Sequence, residues 1–387
     1  MSAHYELIPV TVAAAFSCGT LLALTHAVRL PLARRLGIKE AQSRLLPTLV
    51  QLTLMPALLL AGLLVDRCGV EWVLIGGSLL AALSVAGLAL AQRFSTTLAT
   101  VALLGAAGAA IGVAANVLMP RAFDAARPVL AVNLGHVFLV LGVLVTPPLC
   151  ELLLDRLGLR RTMGLLALLC LTPAAAAALT EVEVFPTLSA NEGPLVPLDD
   201  HLFWAAGLVF LLYGPLECML TRWLTPYLTE LGFSARRSAW LMTGFWLAFL
   251  SSRLLVAVAL QHGSERPVTE AVVLPVLALL AGVILGNLVG TISRSSAAWC
   301  VLLLGVCLGP ILPTLIGLVF ERFPSESGSV YGALAAASAL GSVVLVPLLD
   351  AAARRGTAQR ALRWPMVTSL ILAAAALVFA LMLSGLR

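Results

Sequence analysis

Apolar positions in this chain run in long unbroken blocks, separated by short polar connections. Twelve blocks lie near residues 8–29, 45–65, 72–92, 98–119, 129–150, 163–180, 203–225, 239–260, 271–291, 297–319, 329–350 and 364–385. A helix of about 20 apolar residues spans the hydrocarbon core of a bilayer, so each block predicts a transmembrane helix. The blocks are continuous rather than alternating, which excludes a β-barrel. The longest connection, "EVEVFPTLSANEGPLVPLDD" at 181–200, holds five acids, Pro, Gly and Ser but no Lys or Arg, a linker composition. The pattern therefore predicts an all-α membrane protein of twelve transmembrane helices. A six-helix bundle over 1–182 and a second over 201–387 flank a linker at 183–200.

The two halves carry signs of duplication. "PLARRLGI" (31–38) and "PYLTELGF" (226–233) share a Pro-x4-Leu-Gly-apolar pattern 195 residues apart, and Gly19 and Gly214 match at that same offset. At an offset of 199, "GVLVTPPLCE" (142–151) matches "GSVVLVPLLD" (341–350): Gly142 with Gly341, Pro148 with Pro347, Glu151 with Asp350. Several matches in one order at half the chain length predict two pseudo-symmetric bundles. Segment 1 then corresponds to segment 7 and segment 5 to segment 11. Parallel six-helix repeats are a transporter architecture.

Composition narrows the function. Of 387 residues, 60% are hydrophobic and 11% charged, with a mean hydropathy of +1.03. Soluble domains carry about 25% charged residues, so lipid is the solvent for much of this surface. The net charge of +5 reflects scarce acids and is no sign of nucleic-acid binding, because no Lys/Arg run is interleaved with aromatics. The seven cysteines are scattered, without a CxxC pair, and read as small buried hydrophobes. No metal or cofactor site is expected. Segment 1 has no Lys or Arg before it and reads as a retained span rather than a signal peptide.

Between segments 2 and 3 stands "GLLVDRCGVEW", with Gly62, Asp66, Arg67 and Gly69 in the pattern Gly-x-x-x-Asp-Arg-x-Gly. It resembles the signature of the major facilitator superfamily at this place, although Val70 and Glu71 stand where basic residues are usual. "GAAIGVAANVLMP" resembles the family's Gly-rich helix 4. "NLGHVFLVLG", "YGPLECMLTRWLTPYL" and "GPILPTLIGLVFERFP" resemble helices 5, 7 and 10 of its fucose-permease-like, sugar-transporting branch. The resemblance covers nearly the whole chain. It implies the major facilitator fold and a gating role for Gly62, Asp66, Arg67 and Gly69. In that role the motif locks the cytoplasmic ends of the two halves in the outward-facing state. It also implies both termini inside. That topology leaves six basic residues in inside segments and sixteen outside, the reverse of the positive-inside rule.

Away from their ends, the segments hold only three charged residues, Glu217, Arg222 and Arg253, with His136 titratable. A charge inside a bilayer is costly and marks a functional site by default. Glu217 follows Pro215 by two residues and lies one turn after Tyr213, so the two share a face. It reads as a carboxyl in a central cavity that couples proton movement or binds a polar substrate. The structural alternative is an acid neutralised by Arg222, Arg253 or a backbone group. Arg222 lies roughly 140° further round the helix, poorly placed to pair with Glu217. It is a candidate for binding an anionic substrate group or for snorkelling outward. Arg253, where the branch has Gly-Arg, reads as a gate or interface residue. Asn133 and His136 share a face of segment 5; with Asn116 of segment 4 they are either cavity wall or interhelical glue. Trp246 is a candidate cavity wall. Proton-coupled sugar relatives in the branch carry acids in helices 1 and 4. None is present here, which makes Glu217 the first candidate for a proton carrier and His136 the second.

These features predict a secondary transporter working by alternating access on a small-molecule solute, with protons as the candidate coupling partner. It is expected as a monomer in the lipid bilayer of the inner (plasma) membrane, without nucleic-acid partners. A non-transporting sensor or assembly protein of the same fold is the alternative. No HExxH and no Ser–His pair speaks for an enzyme.

Overall fold

The computed structural model describes residues 6–43, 45–180, 196–262, 267–290, 293–353 and 356–385. The expected linker at 183–200 lies mostly outside them. The described residues form fifteen helices: α1 (Leu7–Leu36), α2 (Glu40–Ser43), α3 (Leu45–Cys68), α4 (Val70–Leu90), α5 (Phe94–Phe123), α6 (Pro128–Cys170), α7 (Thr172–Leu179), α8 (His201–Glu230), α9 (Ala235–His262), α10 (Pro267–Gly290), α11 (Arg294–Leu308), α12 (Ile311–Arg322), α13 (Ser327–Ala353), α14 (Ala358–Ala361) and α15 (Arg363–Gly385).

Among the described residues, eleven stretches are long and apolar enough to cross a membrane. One of them, 52 residues over Pro128–Leu179, contains segments 5 and 6 together. In the sequence these two segments are separated by a short polar connection. The helix runs through it and breaks only at Gly158, whose φ of 72° and ψ of 169° are open to glycine and strained for other residues. This restores the count of twelve spans. Segment 10 is divided in the other sense: α11 ends at Leu308 and α12 begins at Ile311, around Gly309–Pro310.

The chain folds as two compact units. One comprises 1–131, 135–196 and 323–336; the other comprises 132–134, 197–322 and 337–387. The start of α13, from the second half of the sequence, thus belongs to the first unit.

Within each unit the duplicated glycines meet the same partners. A β-carbon on Gly19 of α1 would land on the Leu139 carbonyl of α6, and one on Gly142 would land on the Phe16 carbonyl. In the second unit Gly214 of α8 meets the Ser338 hydroxyl and carbonyl of α13, and Gly341 meets the Leu211 carbonyl. Phe16 and Leu211 are 195 apart, and Leu139 and Ser338 are 199 apart. These are the two offsets of the sequence matches. A third crossing is related: Gly105 of α5 packs on the Thr53 hydroxyl and the Val50 carbonyl of α3, and Gly305 of α11 packs on the Phe245 carbonyl of α9. Small residues at these places let helix backbones approach in lipid, where no hydrophobic force draws helices together.

Candidate functional site

In the second unit, α8, α9 and the break in segment 10 assemble a polar cluster. Pro313 has no N–H, so the Gly309 carbonyl four residues earlier has no helical donor. Arg253 of α9 supplies one, its Nε donating to Gly309 O at 2.8 Å. One residue back, Leu308 O accepts from the Tyr213 hydroxyl of α8 at 2.9 Å. Arg253 also lies over the Phe249 ring, 4.5 Å from its centroid, a cation–π arrangement. Arg253 and Tyr213 are both buried. The Tyr213 hydroxyl lies beside the Arg253 guanidinium and the Glu217 carboxyl, and Glu217 is within electrostatic reach of Arg253. Glu217 itself is only partly buried. The cluster therefore has a fixed cation at its back and an acid that keeps access to its surroundings.

Pro215 shapes the same helix differently. It leaves Leu211 O without its helical donor, and this is the carbonyl against which Gly341 packs.

Arg222 takes no part in the cluster. Its Nε donates to Asp350 Oδ2 at 2.9 Å, and Trp223 Nε1 donates to Asp350 Oδ1 at 3.0 Å. Asp350 is buried while Arg222 is mostly exposed. Trp246 is part-buried and meets the rings of Phe245 and Phe249 edge-on at 5.4 Å and 5.2 Å. It thus extends the wall that leads to Arg253. Arg253, expected as a gate or interface residue, stands beside Tyr213 and Glu217.

The first unit holds a neutral network. Asn116 Nδ2 donates to Gly112 O at 2.8 Å and to the Tyr331 hydroxyl at 3.0 Å. Both amide hydrogens are thereby used, and Asn116 Oδ1 faces His136 Nε2 at 2.8 Å. An amide oxygen can only accept, so the hydrogen-bond network assigns the proton to Nε2. Asn133 points elsewhere, donating to Thr314 Oγ1 of α12 at 3.1 Å. The shared face of Asn133 and His136 thus serves two different partners.

The Gly62–Gly69 motif resolves into three local tasks. Gly62 admits the Gly328 carbonyl of α13 against its Cα. Asp66 is buried and caps the start of α13, accepting from Gly328 N at 2.9 Å and Ser329 N at 2.6 Å. A carboxylate there satisfies helix-terminal N–H groups that have no helical partner. Gly69, at φ 96°, turns the chain between α3 and α4. Arg67 is exposed, while Arg121 supplies positive charge near Asp66.

Sequence reasoning missed Tyr331, Thr314, Phe249 and the carbonyls of Leu308 and Gly309. The Gly309–Pro313 spacing was a readable signal of a freed carbonyl; the others join by tertiary packing alone. No group of His, Cys, Asp and Glu among the described residues is arranged to hold a metal ion.

Comparison with known proteins agrees with this architecture. A family model, Major Facilitator Superfamily, matches residues 10–346. A probable vesicular acetylcholine transporter-B from Danio rerio is 27% identical over 319 residues, 76% of this chain; the match spans 62% of that protein's length. Two solved structures of FucP superpose with a TM-score of 0.77 each, covering 97% of this chain and 99% of theirs. One is a variant of the E. coli fucose:proton symporter, at 15% identity. The other is FucP in the outward conformation, at 16% identity.

Proposed function

The chain belongs to the major facilitator superfamily, a family of membrane transporters and not of enzymes, and on that premise we propose that it is a proton-coupled secondary transporter using Glu217 as its proton carrier. The observation that carries this reading is the Glu217–Tyr213–Arg253 cluster. Its cation is buried and tied to Gly309 O, whereas its acid stays partly exposed. A carboxyl that faces a fixed positive charge and retains access can take up and release a proton as its surroundings change. Coupling follows if the solute binds one protonation state better than the other, because a ligand shifts an equilibrium only by its differential affinity.

Alternating access would move the six-helix repeats about the site. The substrate is a small organic solute held by Glu217, with Tyr213 and Trp246 as walls. The protein is a monomer of the plasma membrane in this reading. The FucP structures support proton symport as chemistry available to this fold, and the vesicular relative supports a cationic solute as the class to try first.

The test is solute uptake into liposomes holding the purified protein, with and without an imposed proton gradient. Glu217→Gln keeps the side chain's size and removes its charge. It is expected to abolish gradient-driven accumulation while exchange down a solute gradient persists. Accumulation that still follows the proton gradient in this variant would sink the assignment.

A further inference from the structure

The second unit has a small basic cup at one end of its helix bundle, where α10 finishes and α15 begins. Val289, Thr357, Gln359, Arg360 and Arg363 line a cavity of about 220 Å³. Most polar groups of this wall are already engaged. The Glu230 carboxylate accepts from Ala358 N at 2.7 Å and Gln359 N at 3.2 Å. Thr357 Oγ1 accepts from Arg360 N, and Gln359 Nε2 donates to Val289 O at 2.9 Å. The Arg360 and Arg363 side chains are different: both are exposed, and among the described residues neither guanidinium has an acid partner. Glu230, the nearby acid, is occupied by backbone N–H groups.

We propose that this cup binds the phosphate of an anionic membrane phospholipid. Three observations favour a lipid over a solute. First, guanidinium groups match phosphate oxygens in charge and in forked geometry. Second, the volume is below the roughly 300–1,000 Å³ of pockets that enclose whole small molecules, so a ligand that fits must leave most of itself outside. Third, an apolar track leads away from the cup. Trp364, at its rim, is partly exposed, and beyond it Val367, Leu370 and Ile371 of α15 and Leu280 and Val283 of α10 are exposed. Interfacial Trp marks the headgroup level; the exposed aliphatic residues below it suit acyl chains.

The charge of the whole end agrees. Among the described residues, Arg236 and Arg237 at the start of α9, Arg294 at the start of α11, Arg360 of α14 and Arg363 at the start of α15 stand at this end of the second half, against Arg322 at the end of α12.

The test is native mass spectrometry of the full chain in mild detergent, with phosphatidylglycerol or phosphatidylcholine added. Wild type is expected to retain phosphatidylglycerol at least tenfold better than phosphatidylcholine. The R360Q/R363Q double variant is expected to lose that preference, and R236Q/R237Q, which changes two exposed arginines outside the cup, to keep it. An unchanged melting temperature in lipid-free detergent shows that the double variant is folded. Equal retention of both lipids by wild type, full retention by R360Q/R363Q, or an equal loss in R236Q/R237Q would overturn the site. Displacement of phosphatidylglycerol by millimolar inorganic phosphate would overturn the lipid and leave a free-anion pocket.

Discussion

The two units share a skeleton and differ in chemistry. Where α1 crosses α6 in the first unit, Gly19 and Gly142 seat on the carbonyls of Leu139 and Phe16; where α8 crosses α13 in the second, Gly214 and Gly341 seat on those of Ser338 and Leu211. The positions between the glycines diverge. At the 195-residue offset Tyr213 answers to Cys18, Glu217 to Leu22 and Arg253 to Leu58. Away from its helix ends the first unit brings together an amide, an imidazole and a phenol (Asn116, His136, Tyr331) and keeps its buried acid, Asp66, near the end of α3, whereas the second unit carries an acid and a base within its helices. The duplicated geometry therefore does not require charge. Among the described residues the mid-helix acid–base pair stands in the second unit, where a broken helix offers a carbonyl to receive the base.

Removing the base should have the largest effect. Arg253→Met leaves Gly309 O without its donor and Glu217 without a compensating charge. Breaking a buried charged arrangement costs about 3–5 kcal/mol, which should appear as a large loss of thermal stability in detergent. At the matching place in the first unit, Leu58→Met is a volume-conserving change that costs less than about 1.5 kcal/mol. Adding Glu217→Gln to Arg253→Met should recover part of the loss. A double-mutant cycle with no coupling energy would show that Glu217 and Arg253 do not act together.

The shared skeleton should respond equally in both units. Alanine is favoured over glycine within a helix by about 0.8–1.0 kcal/mol. At Gly19, however, the new methyl meets the Leu139 carbonyl, and at Gly214 it meets the hydroxyl and the carbonyl of Ser338; overpacking costs about 1–3 kcal/mol. Clash outweighs propensity, so Gly19→Ala and Gly214→Ala should each destabilise the protein by about 1–2 kcal/mol. Gly76, inside α4 with open space around it, should show propensity alone. There Gly76→Ala should stabilise by up to about 1 kcal/mol. A marked difference between Gly19→Ala and Gly214→Ala would break the equivalence of the crossings.

Legibility in the sequence followed the same division. The spans were readable because lipid demands continuous apolar runs, and the repeat was readable because close helix approach admits few residue types at Gly19, Gly142, Gly214 and Gly341. Glu217 stood out because charge is rare in such runs. Its surroundings were not readable. Arg253 lies 36 residues away on α9 and Leu308 91 residues away at the end of α11, and only packing brings them to Tyr213. The partner of Arg222 was hidden similarly: Asp350 was visible as the counterpart of Glu151, but its ion pair depends on how α8 meets α13. The continuous path of α6 escaped because the polar stretch before Gly158 reads as a connection, although its residues are compatible with helix.

The smallest effect should come from the neutral network, and it sharpens the contrast most. In His136→Gln an amide N–H can replace the imidazole Nε2–H that faces Asn116 Oδ1. Hydrogen bonds between membrane helices contribute about 0.6 kcal/mol on average and up to about 1.7, so even complete loss of this one leaves the protein folded. If proton coupling belongs to the second unit, His136→Gln transports with an unaltered dependence on the proton gradient, while Glu217→Gln loses it. The opposite pair of results would place the proton on His136, and the charged cluster would then be a structural tie between α8, α9 and the break at Gly309. The two variants measured in one liposome assay separate these outcomes, because His136→Gln removes a titratable group and keeps its donor, and Glu217→Gln removes a titratable group and keeps its size.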